Sequence, residues 1–355
     1  MGVSPFLRRV DEIDIYVNHT SDNSYQMLTP LKELYPYLNV INSDWITEQE
    51  DPPENFRAFV YNKAFREIKK AGKFDYVLFI DIDEFWVHKN LDVTIQEVIK
   101  KNNYPECIFF SWLNKDGSEQ LFSELPLQIH GHLHTLGKSL VKVSDNVTQI
   151  KIYQPILKHW QIVLCDGTYF RSRDERGKQH GLLDDVLIKI RDVVIVHNLF
   201  RSPMEYVSLL GRGRPSMPDL LKLNRNGYNS HKGSQTIVSM TLEHEPCLLY
   251  KQIKKALMSD QIMIDALAVA QKFICDRYYQ TLTNIASTPV NAFAELARAF
   301  SGCNIAAKQR ITQHILSSFG LINFEDEHYL TNLYKEMMRF DKDSALMLKH
   351  KIGAY

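Results

Sequence analysis

The chain has 355 residues, of which 45% are hydrophobic, so it is long enough for one large domain or two ordinary ones with a sizeable core. Its 42 lysines and arginines equal its 42 aspartates and glutamates, and this balance gives no support to a general nucleic-acid binder. The five cysteines are widely spaced and never form a CxxC pair, which argues against a disulfide scaffold and against a zinc ribbon. Reduced thiols predict a cytoplasmic protein.

The first part of the chain alternates strand-like and helix-like segments. Residues 13–17 are mostly apolar and β-branched and predict a strand, and residues 38–41 predict the next one. Between them, residues 26–34 predict a helix that Pro30 interrupts. Residues 56–68 carry apolar side chains at helical spacing and predict an amphipathic helix. This alternation is typical of an α/β fold.

A strongly apolar run follows at residues 76–80. Apolar residues without alternation predict a strand that is covered on both faces, as in a parallel α/β sheet. Asp81 and Asp83 come directly after this run, and ligands bind at the carboxyl ends of strands in open α/β sheets. Two carboxylates at alternate positions suit Mg²⁺ or Mn²⁺, with phosphate oxygens and water as the other ligands.

Three later runs, residues 107–112, 139–143 and 193–196, predict further buried strands. The last of them ends at His197. Residues 202–205 then form a capping box, in which a serine, a proline at the first helical position and a glutamate predict the start of a helix.

The composition changes after about residue 240, where strand signals vanish and helical periodicity begins. Residues 214–240 are rich in Asn, Ser, Gly and Pro and predict a loop or linker. We therefore expect an α/β domain over residues 1–240 and a helical subdomain over residues 241–355. The helices predicted in this second part lie at residues 261–279, 290–300, 305–319 and 327–348.

Three segments resemble one known family. FDYVLFIDIDEFWVH, residues 74–88, resembles the DxDEF signature of glycosyltransferase family 2-like proteins with a GT-A fold. IYVNHTSD, residues 15–22, resembles that family's second strand and the turn after it. VIVHNLFRS, residues 194–202, resembles its strand-end histidine, which is followed by a basic residue and a serine that caps a helix. The resemblance covers roughly residues 10–215.

The resemblance implies a GT-A fold, in which helices flank a Rossmann-like mixed sheet, and a nucleotide-diphospho-sugar donor. It implies that Asp81 and Asp83 hold Mn²⁺ or Mg²⁺ against the donor's diphosphate. His197 lies where some members place a further metal or diphosphate ligand. Asn18 and Asp22 lie where the nucleoside is normally held.

Arginines after this histidine are candidates for contacts with the diphosphate, because guanidinium groups match phosphate oxygens in geometry. They are Arg201, Arg212 and Arg214. The sequence departs from the family at its start, where only about ten residues precede Asp11. Either the nucleoside pocket is built differently, or the start of the chain is truncated, or the protein has lost full donor binding.

Inverting transfer, which the resemblance favours, needs a carboxylate that deprotonates the acceptor hydroxyl. Asp116 and Glu124 follow the predicted strand at residues 107–112 and are the candidates that their loop position favours. No spacing rule selects between them or excludes the other loop carboxylates, which are Asp166, Asp174, Glu175, Asp184 and Asp185.

His130, His132 and His134 indicate a different class of enzyme. In a strand, all three side chains would project from one face and suit zinc or another transition metal, as in a metallohydrolase. A phosphoryl or nucleotidyl transferase with paired aspartates is a further alternative, although the chain has no GxxxxGK(S/T) phosphate loop. The non-enzymatic alternative is a catalytically degenerate GT-A domain that serves as a scaffold.

The predicted function is transfer of a sugar from a nucleotide-diphospho-sugar to a glycan or lipid-linked glycan acceptor. No run approaches the roughly 20 apolar residues of a membrane span, and the first residues are too charged for a signal peptide. We expect a cytoplasmic protein, located at the inner face of the membrane if its acceptor is lipid-linked. The apolar stripes of the helical tail pack internally or form a homodimer interface.

Overall fold

The computed structural model describes residues 10–18, 24–46, 48, 55–159, 161–173, 181–212, 220–231 and 236–352. The chain divides into two compact units. Unit 1 is drawn from residues 1–115, 125–198 and 233–267, and unit 2 from residues 116–124, 199–232 and 268–355. The division differs from the single boundary expected at residue 240, because each unit takes up separate stretches of the chain.

The strands all lie before residue 242, and most of the long helices lie after it. The strands are β1 (Ile13–Val17), β2 (Leu38–Asn42), β3 (Tyr76–Leu78), β4 (Glu84–His88), β5 (Cys107–Lys115), β6 (Gln128–Lys142), β7 (Val147–Ile150), β8 (Pro155–Leu157), β9 (Ile162–Leu164), β10 (Val193–His197) and β11 (Thr236–Thr241). The helices are α1 (Ser24–Leu34), α2 (Phe56–Ala71), α3 (Ile95–Lys101), α4 (Pro203–Leu210), α5 (His244–Leu257), α6 (Gln261–Asn284), α7 (Phe293–Phe300), α8 (Ile305–Ser317), α9 (Glu327–Phe340) and α10 (Lys342–Ile352).

A seven-stranded mixed sheet forms the centre of unit 1. Its main order is β11-β6-β5-β10-β4, with β3 paired to β6 and β9 paired to β5. β10 runs parallel to β5 and antiparallel to β4, so the sheet contains both kinds of pairing. The predicted mixed α/β architecture with a largely helical C-terminal region is confirmed, whereas the GT-A assignment stays a prediction.

β5 is the best-buried strand of this sheet. Cys107, Ile108, Phe109, Phe110 and Leu113 are each at most 1% exposed, so both faces of the strand are covered. Because β10 runs parallel beside β5 and ends at His197, the central strands bring that histidine to their common carboxyl end.

Some expectations for the strands were wrong. Residues 76–80 were expected to form a strand covered on both faces in a parallel sheet. Instead β3 has only three residues, all partly buried, and pairs antiparallel with β6, which is its only strand partner among the described residues. The loop expected at residues 214–240 was also predicted to end too late. β11 begins within it, at Thr236, and pairs antiparallel with β6.

The helices of unit 1 follow their local signals closely. The helix predicted at residues 56–68 is confirmed as α2, and Gly72 ends it in the left-handed conformation, with φ of 62°. The expected interruption at Pro30 is wrong, because α1 continues through it to Leu34. Proline removes one backbone donor, and the remaining hydrogen bonds of α1 hold the helix together across that position.

Unit 2 has a helical core of its own. Phe293, Leu296, Phe300, Ile311 and Leu333 are all 0% exposed and belong to one hydrophobic cluster. Two predicted helices differ in detail. A 3₁₀ turn precedes α7, and the helix expected at residues 327–348 is split at an extended residue into α9 and α10. No helix in the described ranges is both long enough and apolar enough to cross a membrane.

The capping box at the start of α4 is confirmed. Ser202 Oγ accepts a hydrogen bond from the backbone N–H of Glu205, and the Glu205 carboxylate accepts from the backbone N–H of Ser202. Both residues are buried, so the reciprocal bonds satisfy backbone donors that water does not reach.

Candidate functional site

Asp81 and Asp83 lie in the turn that joins β3 to β4. The residue between them, Ile82, is 84% exposed and marks the tip of the turn. β4 pairs antiparallel with β10 so that Glu84 lies opposite His197. The hydrogen-bond register therefore brings the turn and the end of β10 to the same edge of the sheet.

Asp81 is held by three side chains of unit 1. Arg57 Nη1 donates to Asp81 Oδ2 at 2.9 Å, the Tyr61 hydroxyl donates to Oδ1 at 3.3 Å, and Lys138 Nζ lies 3.4 Å from Oδ2. Two of these contacts involve cations, so the negative charge of Asp81 is compensated within the protein. The side chain retains 26% exposure.

A buried ion pair lies beneath the turn. Lys138 Nζ is 3.2 Å from Glu84 Oε2, and the two side chains are 1% and 0% exposed. Glu84 Oε2 also accepts a hydrogen bond of 2.9 Å from the backbone N–H of Asp81, which links the ion pair to the turn. Glu84 Oε1 is buried and has no hydrogen-bond partner among the described residues.

The local charges explain how these groups titrate. Burial raises the pKa of the Glu84 carboxyl, and the Lys138 ammonium opposes that effect. Burial, followed by the charges of Asp81 and Glu84, raises the pKa of Tyr61, so its hydroxyl remains a donor to Asp81 at neutral pH. Two carboxylates thus face two cations, Lys138 and Arg57, in a cluster with no net charge.

Asp83 faces the end of β10. Its Oδ2 lies 3.9 Å from Nε2 of His197, and its backbone carbonyl accepts a 2.8 Å hydrogen bond from the N–H of Asn198. Nδ1 of His197 lies 3.2 Å from Oδ1 of Asn114. An amide oxygen only accepts, so the neutral imidazole carries its proton on Nδ1 and has its lone pair on Nε2, the nitrogen nearer the carboxylate.

This pair of atoms fits a divalent cation. Nε2 of His197 and Oδ2 of Asp83 are both acceptors in this tautomer, and oxygen and nitrogen donors of this kind suit Mn²⁺. Neighbouring ligands of an octahedral ion with bonds of about 2.1 Å lie about 3 Å apart. An octahedral ion held by both atoms would require the observed 3.9 Å to shorten to about 3 Å.

The three predicted metal ligands have different surroundings. Asp83 and His197 face each other, whereas Asp81 is turned toward Arg57, Tyr61 and Lys138. Within the described parts of the chain, the ligand atoms of these three predicted residues do not all lie within 4.8 Å of one another. Asp83 and His197 are therefore the better-placed ligands, and Asp81 is placed to fix the turn.

The predicted nucleoside residues are only partly described. Asn18 Nδ2 donates a 3.0 Å hydrogen bond to the carbonyl of Ser43, so its amide ties the end of β1 to the segment after β2. Asp22 lies outside the described residues, as do Arg214, Asp174 and Glu175. The other open carboxylates of unit 1 form ion pairs: Asp166 with Arg191 and Lys189, Asp184 with Arg171, and Asp185 with Arg173.

The predicted catalytic bases belong to unit 2. Asp116 Oδ1 lies 2.9 Å from Nε2 of His231, whose ring packs edge-on against Phe200 with centroids 5.2 Å apart. Asp116 is 41% exposed, and Glu124 is exposed as well. The structure thus gives Asp116 an imidazole partner that the sequence did not suggest.

The predicted diphosphate arginines also belong to unit 2. Arg201 has a left-handed backbone with φ of 58°, and its carbonyl accepts a hydrogen bond from the Tyr228 hydroxyl. Arg212 is exposed just after α4. Burial, and then the nearby charges of Arg212 and Arg201, lower the pKa of Arg277 on α6. The two arginines therefore lie near a third that the sequence did not single out.

The three histidines of β6 do not by themselves form the metal site of the metallohydrolase alternative. His130, His132 and His134 lie on β6 as expected, the first exposed and the others partly buried. Their ring nitrogens do not all come within 4.8 Å of one another. Alternate residues of one strand are about 6.6 Å apart, so three imidazoles on it do not close on one ion. The three histidines alone therefore do not form such a site, and the metallohydrolase alternative stays a prediction.

Sequence reasoning missed the cations around Asp81. Arg57 and Tyr61 lie on α2, which had been predicted as an amphipathic helix without a role in the site. Lys138 comes from β6, 57 residues after Asp81, and the pairing of β3 with β6 brings it there. No local pattern marks such a contact.

The chain matches no protein-family model, no curated protein and no solved structure.

Proposed function

We propose that this protein is a glycosyltransferase that moves a sugar from a nucleotide-diphospho-sugar donor to a glycan or lipid-linked glycan acceptor. The observation that carries the proposal is the facing pair of Asp83 and His197 at the edge of the sheet. The pair places one carboxylate oxygen and one imidazole nitrogen 3.9 Å apart. A divalent cation bound there would offset the charge that develops on the departing nucleoside diphosphate.

The chain's own residues prepare this site. Lys138 and Glu84 hold the turn through the backbone N–H of Asp81, and this supports the position of Asp83 beside the end of β10. The Arg57 side chain is 54% exposed while one of its nitrogens is anchored on Asp81. Its remaining N–H groups would be available to bind phosphate oxygens of the donor.

Of the two candidate bases, both in unit 2, we favour Asp116 over Glu124. The short contact with His231 gives the Asp116 carboxylate a fixed orientation, and an imidazole beside a carboxylate can share the proton that the pair takes up. The proton that this pair takes up comes from the acceptor hydroxyl, and its removal makes the acceptor oxygen the nucleophile. Inversion at the sugar carbon remains part of the proposal through the family resemblance.

The test is calorimetric titration of UDP and GDP, each with and without Mn²⁺, against the wild type and two variants. Asp83→Ala removes the carboxylate that faces His197. Asp192→Ala is the matched control, because Asp192 is a partly exposed aspartate that pairs with Lys89 just before β10, at the end opposite His197. We expect one nucleotide to bind in a Mn²⁺-dependent manner to the wild type and to Asp192→Ala, and not to Asp83→Ala.

The scaffold alternative also has an observation in its favour. The Asp81 carboxylate already contacts Arg57 and Lys138, so part of the acidic motif is neutralised by the protein itself. A folded wild-type protein that binds neither nucleotide, with or without Mn²⁺, would favour this alternative and remove the transferase proposal.

A further inference from the structure

A β-bulge lies between β5 and β6 next to the candidate site. Ser111 pairs with Gly137 and Leu113 pairs with Leu133, so Trp112 alone stands opposite residues 134–136. Bulges of this kind redirect side chains and are common beside functional sites. Trp112 is partly exposed, although its neighbours on β5 are almost completely buried.

Three rings surround the Trp112 indole. The centroid of the His197 ring lies 4.8 Å away, that of Tyr153 lies 5.4 Å away, and that of His134 lies 5.9 Å away. Tyr153 is held to β6, because its carbonyl accepts a 2.9 Å hydrogen bond from Ser139 Oγ. An aromatic cluster thus adjoins the histidine that faces Asp83.

The cluster contains hydrogen-bond donors that point to a polar ligand. The indole N–H of Trp112 is buried and has no hydrogen-bond partner among the described residues. A buried donor without a partner carries a desolvation penalty that a bound hydroxyl or water removes. His134 Nδ1 accepts a 3.0 Å hydrogen bond from the N–H of Leu136, so the proton of the neutral ring is on Nε2. Burial lowers the pKa of His134, which favours that neutral ring.

A sugar ring has the chemistry to fill such a place. Its C–H groups carry partial positive charge and pack against the negative faces of aromatic rings. Its hydroxyl oxygens accept hydrogen bonds from N–H donors such as those of an indole and a neutral imidazole. The ribose is the only sugar ring of a nucleoside diphosphate, whereas a nucleotide sugar carries a second sugar ring on its terminal phosphate.

We propose that Trp112, His134 and Tyr153 form the subsite for the sugar ring of the donor, beside the Asp83–His197 pair. This inference rests on the proposed function, which places the donor's diphosphate at that pair. It adds a group of residues that determines whether the sugar, and not only the nucleotide, is bound.

The test compares a nucleotide sugar with the nucleotide alone. Mn²⁺-dependent binding of UDP and GDP is measured first, and then that of UDP-glucose, UDP-galactose, UDP-N-acetylglucosamine and GDP-mannose. Trp112→Phe keeps an aromatic ring and loses the indole N–H, and Trp112→Ala loses both. We expect Trp112→Ala to weaken the best nucleotide sugar by about tenfold and the nucleotide by less than about twofold, with Trp112→Phe in between.

Trp86→Phe is the matched control. The indole N–H of Trp86 is also buried without a partner among the described residues, and its ring packs edge-on against Phe110 with centroids 6.2 Å apart. We expect this variant to bind nucleotide and nucleotide sugar as the wild type does. Thermal melting of each variant confirms that the fold is retained.

The outcomes separate the two proposals. Wild-type protein that binds nucleotide with Mn²⁺, together with Trp112 variants that weaken nucleotide and nucleotide sugar equally, overturns the sugar subsite and leaves the proposed function in place. Wild-type protein that binds no nucleotide removes the proposed function, and the subsite with it.

Discussion

His197 is oriented by one neighbour on β5, Asn114. The amide oxygen of Asn114 faces Nδ1 of the imidazole at 3.2 Å. Partners of this kind fix the tautomer and rotation of a metal-binding imidazole. The geometry of the Asp83–His197 pair therefore depends on a side chain that does not itself face the proposed cation site.

Replacement of Asn114 tests this dependence. In Asn114→Ala the Nδ1–H loses its acceptor, so both tautomers and several ring rotations become accessible. We expect the affinity for Mn²⁺ in the presence of nucleotide to fall by about 10- to 100-fold. Electron paramagnetic resonance of free Mn²⁺ measures this. Asn90→Ala, just beyond the other end of β4, is the control, and unchanged Mn²⁺ affinity in Asn114→Ala would show that Asn114 does not orient a ligand.

Lys138 is expected to be essential for stability because it is the buried cation between Glu84 and Asp81. Lys138→Met leaves the Glu84 carboxylate buried without its counter-ion, which we expect to cost about 3 to 5 kcal/mol of unfolding free energy. Urea denaturation measures the loss. The double variant Glu84→Gln/Lys138→Met removes both charges and should recover most of it. A double variant as unstable as the single one would contradict the explanation.

The same variant has a defined pH dependence. Lys138 lowers the pKa of Glu84 against the larger effect of burial, so removal of Lys138 raises that pKa further. A carboxyl whose pKa is higher in the folded state than in the unfolded state binds more protons when folded. The stability deficit of Lys138→Met should therefore shrink as the pH falls from 8 to 5. A deficit that is independent of pH would assign the loss to packing.

At the residue scale, sequence alone could identify the acidic motif and not its surroundings. Two apolar runs precede these residues: residues 76–80 come before Asp81 and Asp83, and residues 193–196 come before His197. Runs of this kind can be recognised in a single sequence. Arg57 and Lys138 reach Asp81 from 24 residues before it and 57 residues after it. Such contacts are set by strand pairing and helix packing, which a single sequence does not show.

At the scale of elements, the β5–β6 pair determines the geometry of the site. It carries Trp112 and Asn114 on one strand and Lys138 and His134 on the other. The close approach of the strands after the bulge depends on Gly137, where a Cβ atom would lie 1.9 Å from the carbonyl oxygen of Phe110. No side chain fits at that distance, so a larger residue must separate the strands.

Gly137→Ala tests this requirement. We expect a loss of about 2 kcal/mol or more in unfolding free energy, measured by urea denaturation. Gly320→Ala is the matched control, because a Cβ atom there meets nothing within 4 Å, and we expect a change within about 0.5 kcal/mol. Equal stability of the two variants would mean that the strands tolerate separation at the bulge.

The existence of elements was easier to predict than their pairing. The capping box of α4 and the glycine that ends α2 are local signals, and both features are present. The length of β6, which runs continuously from Gln128 to Lys142, was only partly predicted, because its first half has no apolar run. The direction of β3 depends on β6, so the expectation of a parallel strand was wrong.

At the scale of the whole molecule, composition predicted a mixed α/β region followed by helices. It did not predict the two units, because each is assembled from stretches that are distant in sequence. Unit 2, for example, joins residues 116–124 to parts of the chain after residue 198. Such an arrangement depends on contacts between elements and leaves no mark in local composition.

The burial of the five cysteines gives a test of the whole fold. Cys107, Cys165, Cys247 and Cys303 are at most 6% exposed, and Cys275 alone is partly exposed. Burial raises the pKa of Cys107 and Cys303 to about 12 and that of Cys165 to about 11. The thiolate is the reactive form, so at pH 8 these thiols should react very slowly in the folded chain.

We therefore expect an aromatic disulfide reagent at pH 8 to modify one thiol quickly in the native protein and five in denaturant. Cys275→Ser should remove the fast reaction and leave four thiols that react only after unfolding. Because the slow cysteines come from both units, their reaction reports on both cores at once. Two or more fast thiols in the native protein would show that at least one core opens far more readily than its packing implies.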